Sequence, residues 1–255
     1  MLYEYPAFFA RFYDTIYKHL RNSADNQFFL NQINQSTGKI LEIGAGTGRL
    51  FTEALENQAD IYGIDISPAM IDVLHQKLSS ENQKRVTVDN MINFKHERNY
   101  QLIIAPFRVF MHILGKENQI HALNNVYNHL ETGGLFIFDV FVPNLEQIQN
   151  GLDMVKDFDD EYAPGKRLQR FVSTKPDLSK QLINITFLLK WDEDDGYKQE
   201  KWEVPLRFFF RYELEHLIER SNFKESYHIY GNWDQTELTA QSKEFIQICS
   251  KHEVV

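Results

Sequence analysis

Between residues 39 and 142 short apolar runs alternate with stretches of helical periodicity, and this alternation limits the fold more than any other feature of the chain. The apolar runs are residues 39 to 43, "DIYGID", "RVTVD", "YQLIIA" and "LFIFDVFV". Between them lie a helical stretch from about Thr47 to Asn57, then "SPAMIDVLHQKL", then "GKENQIHALNNVYNHL", which Gly133 and Gly134 are expected to end. Leu50, Phe51, Ala54 and Leu55 share one stripe of the first helix, and Ile71, Leu74 and Leu78 one face of the second. Ser67 is placed to cap that second helix with its side-chain oxygen, and Pro68 suits a first helical position, where no donor is needed. Strands that hand on to helices repeatedly form a parallel sheet covered on both faces through right-handed crossovers.

The flanks have another texture. Phe8, Phe12, Ile16 and Leu20 recur at helical spacing, so residues 7 to 35 predict two helices, joined near Asn22 to Asp25. After Pro143, "RLQRFVST", "QLINITFLLKW" and "YKQEKWEVPLRFFF" are rich in β-branched and aromatic residues, and the turn clusters "KPDLSK" and "DEDDG" separate them. They predict an antiparallel meander of about three strands. "RYELEHLIERSN" then predicts a helix, with two last strands near "KESYHIYG" and "KEFIQICS". The expected organisation is a helical lid over residues 1–38, a main domain over 39–150 and 206–255, and a β insertion over 151–205.

A chain of 255 residues can bury one large core. Its net charge of −9 opposes a nucleic-acid partner, whose phosphates demand a positive surface. Cys249 is the only cysteine, which excludes an internal disulfide and a cysteine metal cage. His96, His121 and His129 lack metal-ligand spacing, and "DEDDG" lacks the glutamate that closes a calcium loop, so no metal is expected. No apolar run approaches the ~20 residues that span a bilayer, and the first residues carry no cationic leader. The expected setting is cytoplasmic, without a membrane partner. A homodimer through the β insertion is among the arrangements expected.

"ILEIGAGTGRL" carries the chemistry. A glycine turn between strand and helix can cradle the pyrophosphate of a dinucleotide or seat another adenosine cofactor. The dinucleotide pattern G-x-G-x-x-G places its third glycine where helix and strand pack closely. Gly44 and Gly46 match the first two positions, but Arg49 stands at the third and Gly48 comes one residue early. Glu42, two residues before the turn, would repel a pyrophosphate and attract an ammonium. Asp65 ends the second strand 21 residues after Gly44, where a carboxylate can accept from a ribose diol. The turn therefore asks for adenosine with a cationic tail and no phosphate.

These residues resemble a known family. "LEIGAGTGRL" is similar to the first motif of class I S-adenosylmethionine-dependent methyltransferases, "GIDISPAMI" to the second, and "FDVF" after "ETGGL" to the fifth-strand motif. The resemblance covers roughly residues 8 to 142 and the closing "FFFRYELEHLIERSNF". "FYDTIY" and the β-rich insertion look most like the small-molecule branch that N-methylates amino sugars. The resemblance implies an α/β fold with a Rossmann-like, seven-stranded, mostly parallel sheet, helices on both faces, an N-terminal helical lid and an antiparallel β insertion. It implies S-adenosylmethionine as cofactor and methyl transfer to a nitrogen or oxygen of a small molecule.

The implied cofactor residues are Tyr13 and Tyr17 on the lid, Glu42, Gly44, Ala45, Gly46 and Gly48 at the turn, Asp65 on the ribose, and Ile66 and Met70 by the adenine. Met91 would cover the adenine face, with either Asp89 or Asn90 accepting from its amino group, and Ala105 would end the fourth strand. Amide-nitrogen methyltransferases of DNA and protein carry Asn/Asp-Pro-Pro-Tyr/Phe there. Ala105-Pro106-Phe107 lacks the leading acceptor atom, which together with the acidic net charge excludes a DNA N-methyltransferase. His112 matches a histidine of the amino-sugar branch, and with Tyr13 it is the implied catalytic residue. Phe107, Arg108 and His112 are the implied acceptor contacts, with Arg108 placed to read a carboxylate or phosphate. The rival readings are a nicotinamide oxidoreductase and a non-catalytic protein that keeps the fold.

Overall fold

In a computed structural model, which describes residues 3–20 and 23–252, two sheets share the chain. The first holds β1 (Ile40–Ile43), β2 (Ile61–Asp65), β3 (Val86–Val88), β4 (Tyr100–Ala105), β5 (Leu130–Phe141), β10 (Tyr227–Tyr230) and β11 (Glu244–Ser250) in the order β10-β11-β5-β4-β1-β2-β3. All its pairings are parallel except those of β11 with β5 and with β10. The expected α/β fold, with seven strands, is the one observed.

Strand alternation distributes the core over both faces. Ile103, Ala105, Phe136 and Phe138 point to one side, where α6 (Lys116–His129) and α8 (Arg211–Glu219) pack. Ile40, Leu102, Ile104 and Ile137 point to the other, under α2 (Ser23–Gln35), α3 (Arg49–Glu56) and α4 (Pro68–His75). At the start of α4 the Ser67 hydroxyl accepts from the Met70 N–H at 3.4 Å and Pro68 occupies the first turn, as expected.

The second sheet holds β6 (Leu152–Ala163), β7 (Lys166–Asp177), β8 (Leu182–Glu193) and β9 (Gly196–Arg207), all antiparallel. Four strands stand where about three are expected. The additional one, β6, is an edge strand with one buried residue, Phe158. Its run of acids hides the strand pattern. In the sheet those acids meet cations of β7 across the pair, Arg167 at Asp159 and Arg170 at Asp157, and Lys156 of β6 itself also bridges to Asp159. A charged edge also discourages pairing with other chains.

Gly133 and Gly134 do not end α6, which stops at His129; they lie within β5. Gly133 has φ +78 and donates to the Lys251 carbonyl at 2.7 Å, beside a register shift between β4 and β5. The N-terminal helices have different neighbours. Phe9, Phe12 and Ile16 of α1 (Ala7–Leu20) pack on Leu168, Leu189 and Trp191 of the second sheet. Phe28, Phe29 and Ile33 of α2 pack on α3 and the first sheet. Of the junction expected between them, Asn22 lies outside the described residues, as does the side chain of Leu20.

Candidate active site: two adjoining cavities

The carboxyl ends of β1 to β4 enclose one recess. On its wall stand Gly44 and Gly46 from the turn, Asp65 and Ile66 from the end of β2, Met70 from α4, and Asp89, Asn90 and Met91 from beyond β3. Tyr5 and Tyr13 close it from the N-terminal segment. Ser67 fastens that cover by donating from Oγ to the Tyr5 carbonyl at 2.9 Å. Thr47 donates from Oγ1 to Asp14 of α1 at 2.6 Å, and Lys77 bridges to the same carboxylate.

The three turn glycines serve two purposes. All have positive φ, at 76° for Gly44, 57° for Gly46 and 87° for Gly48. A Cβ on Gly44 would stand 2.3 Å from Val109, and one on Gly48 2.1 Å from Leu74, so those two allow the turn to pack. A Cβ on Gly46 would meet nothing nearer than 3.8 Å, so it would project into the recess. Only Gly46 leaves space that a ligand would take.

Asp65 is 8% exposed and accepts from the Gly46 N–H at 2.9 Å and the Ser67 N–H at 2.8 Å, one on each oxygen. Each carboxylate oxygen keeps a further lone pair for a ligand hydroxyl. Burial pushes its pKa up to about 6, against the pull of those N–H groups. Asn90 spends its amide oxygen on the Ile92 N–H at 3.0 Å, whereas Asp89 accepts from the Asn90 N–H on Oδ1. Asp65 and Asp89 are the acids on the wall, and among the described residues no lysine or arginine faces it. A diphosphate would meet two carboxylates and no cation there. Adenosine with a cationic tail suits that lining.

Five expected cofactor residues lie off this wall. Glu42 is 1% exposed and points to the α3 side, where Arg49 faces it; burial raises its carboxyl well above the usual range, and Oε2 has no hydrogen-bond partner. Ala45 and Gly48 pack the turn, and Ala105 is fully buried within β4, paired with Phe138. Tyr17 belongs to the second cavity. Arg49 itself stacks its guanidinium on the Phe107 ring at 3.7 Å and lies 3.8 Å from Asp25.

The second cavity lies between the ends of β4, β5 and β11 and the inner face of the second sheet. Tyr5, Phe107 and His112 line both cavities, so the two adjoin there. Phe107, Arg108 and His112, expected at the acceptor, all line the second one. Phe107 and Arg108 are consecutive non-glycine residues at positive φ, 61° and 69°, a conformation that costs energy and is retained where surroundings hold it. Asp139 holds it: 2% exposed at the end of β5, its Oδ1 accepts from the Phe107 N–H at 2.7 Å. Arg108 pairs with Glu244 at 2.6 Å. Across the cavity Arg170, 4% exposed, forks onto Asp157 at 2.9 and 2.6 Å and lies over the Phe187 ring at 5.2 Å.

Two titratable groups face this cavity with opposite shifts. Burial pushes His112 down to about 4, so its imidazole is neutral at neutral pH. Burial, with Glu244 nearby, pushes Asp139 up to about 7, opposed by Arg108 and by two backbone N–H groups. Asp139, Arg170 and Tyr5 were not among the residues expected at the site. Asp139 had a signal, since it is the one charge within the apolar "LFIFDVFV"; Arg170 shares the inward face of its strand with Leu168 and Val172. Nothing local marks Tyr5.

Residues 41–136 match a family model described as a methyltransferase domain. The chain is 28% identical over 203 residues to malonyl-[acyl-carrier protein] O-methyltransferase 1 of Ilyobacter polytropus, covering 78% of this chain and 70% of that protein. An uncharacterized methyltransferase of Bacillus mycoides is 28% identical over 106 residues, 42% of this chain and 48% of that protein. Among solved structures, an S-adenosylmethionine-dependent methyltransferase from Clostridium acetobutylicum superposes with TM-score 0.77 at 18% identity, covering 96% of this chain and 98% of that one. A sugar N-methyltransferase from a Streptoalloteichus species superposes with TM-score 0.74 at 15% identity, over 99% and 95%.

Proposed function

We propose that the protein transfers a methyl group from S-adenosylmethionine to a nitrogen or oxygen of a small molecule, because residues 41–136 match a methyltransferase domain model and the chain shares the fold of an S-adenosylmethionine-dependent methyltransferase. The observation that carries this reading is the meeting of two cavities at Tyr5, Phe107 and His112, one lined by acids without cations and the other lined by both signs.

In this reading Asp65 accepts from the ribose hydroxyls and Gly46 lets the backbone come close. Ile66, Met70 and Met91 flank the adenine, and Asp89, with its second oxygen, takes the adenine amino group. Tyr13 covers the cofactor, and Glu42 lies buried beneath the turn. The bound cofactor supplies an electrophilic methyl group. The chain orients the acceptor against it and excludes water, contributions that proximity makes worth about 7–11 kcal/mol in well-oriented reactions. Neutral His112 positions the acceptor at the junction, while Phe107 and Arg108 shape its seat.

The names of similar proteins support both acceptor atoms: the Ilyobacter relative is an O-methyltransferase, and the Streptoalloteichus structure is a sugar N-methyltransferase. The test is release of S-adenosylhomocysteine from S-adenosylmethionine in the presence of small amines, amino sugars, phenols and carboxylic acids. The proposal expects turnover with one of these classes and none with the protein omitted. Binding of the cofactor without turnover of any class would favour a non-catalytic binding protein.

A further inference from the structure

The acceptor reaction needs a place for a proton. An amine reaches the site as an ammonium ion, and only its neutral form has the lone pair that attacks carbon. His112 is the histidine at the junction, but a group held near 4 is a poor proton acceptor at neutral pH. Asp139 is the better-placed group. It lines the acceptor cavity, is all but fully buried, and is tied by 2.7 Å to the backbone of Phe107, whose ring stands in both cavities. That bond fixes the carboxylate next to the turn that bounds the acceptor's seat.

We propose that Asp139 is a further catalytic residue, which receives the acceptor as an ammonium ion and takes its proton, so that the methyl group goes to nitrogen. The inference rests on the function proposed above. The N–H bond breaks and its proton passes to the Asp139 oxygen. The nitrogen lone pair then forms the new N–C bond as the C–S bond of S-adenosylmethionine breaks. The C–S electron pair stays on sulfur, giving neutral S-adenosylhomocysteine and a methylated ammonium product. A carboxylic acid acceptor, already ionised at neutral pH, would need no such group.

The charge around the cavity fits a cation. Glu244 from β11 faces Asp139 and raises its affinity for a proton, with Arg108 of the turn opposing. Arg108 is engaged by Glu244, and Arg170 of the second sheet by Asp157. Lys243, Asp25 and neutral His112 complete the titratable groups on the cavity wall, beside Tyr5 and Tyr17. Asp139 has a pKa of about 7, which matches a group that must alternate between charged and neutral forms at working pH.

Asp139→Asn separates this role from a structural one. An asparagine oxygen still accepts from the Phe107 N–H but cannot take a proton. The probes are glucosamine, benzylamine and their homologues, each with the alcohol of the same skeleton, titrated into protein saturated with S-adenosylhomocysteine. The proposal expects the amines to bind and the alcohols not to bind. Asp139→Asn should weaken amine binding at least tenfold and lower turnover about 100-fold, the range of general-base contributions. S-adenosylhomocysteine affinity should stay within twofold of wild type. Turnover of the wild type should fall on the acid side of a limb near pH 7, and that limb should vanish in the variant. Amines that fail to bind the saturated protein, or a variant that keeps a third of wild-type turnover, would overturn the proposal. Failure of S-adenosylhomocysteine itself to bind would instead overturn the cofactor reading on which it stands.

Discussion

The two cavities of this protein adjoin at three side chains, yet they are assembled in opposite ways. The first recess is drawn from consecutive strand ends of one sheet, and its polar contacts are fixed by backbone: Asp65 holds the N–H groups of Gly46 and Ser67. The second cavity is drawn from β5, β11, the turn after β4 and all four strands of the second sheet, and its charged groups are fixed by other side chains, as Asp157 on β6 fixes Arg170 on β7 and Glu244 on β11 fixes Arg108 of the turn.

That contrast can be broken by substitution. Gly48→Val should have the largest effect, because a Cβ there meets Leu74 at 2.1 Å in a left-handed conformation. It should lose at least ~3 kcal/mol of stability, seen as a lower midpoint in denaturant. Asp65→Ala should weaken S-adenosylhomocysteine about 100-fold by calorimetry, the worth of hydrogen bonds to a charged group. Gly46→Ala has space for its methyl group and should cost only ~1–2 kcal/mol in stability, the left-handed penalty, while weakening the same ligand strongly. Equal losses of affinity in Gly46→Ala and Gly48→Ala, each measured on folded protein, would contradict the two purposes assigned to these glycines.

Arg170→Met should act on the other cavity alone, raising the acceptor KM about tenfold and leaving cofactor affinity within twofold. A loss of cofactor affinity equal to the loss for acceptor would show that the cavities are not separable. The pH dependence of cofactor binding is also local. Asp65 has its pKa raised from 3.8 to about 6 in the fold, so its contribution to folding is complete below 3.8 and lost as pH rises through 6. In the proposed function cofactor binding runs the other way, because there the ribose hydroxyls donate to the ionised carboxylate. Affinity should therefore fall about tenfold between pH 7 and pH 5, and Asp65→Asn should flatten that change. The smallest effect is expected at Arg108, whose bridge to Glu244 is 46% exposed on the arginine side. Arg108→Gln should shift stability by less than ~1 kcal/mol.

The same contrast decides what could be read in the sequence. Ser67, Pro68 and the glycine turn act through neighbours a few residues away, so their local pattern carried strand, cap and turn together. Glu42 was legible as a carboxylate at the turn but not in direction: side chains alternate along a strand, and a two-residue pattern cannot say which face is open. Arg49, a departure from the glycine pattern, stacks on Phe107, a partner 58 residues away that no local motif announces. β6 escaped because its acids look like a loop until their cross-strand cations are in place. Asp139 and Arg170 are visible as charges in apolar strands, but their common cavity exists only after two sheets pack.

The acid-lined recess should take adenosine bearing a cationic tail and exclude a dinucleotide. Calorimetric titration of the wild-type protein at pH 7.5 with S-adenosylmethionine and with NAD tests it most directly. S-adenosylmethionine should bind saturably and one-to-one, with no heat of binding from NAD at about tenfold higher concentration. Saturable binding of NAD, with none of S-adenosylmethionine, would contradict it.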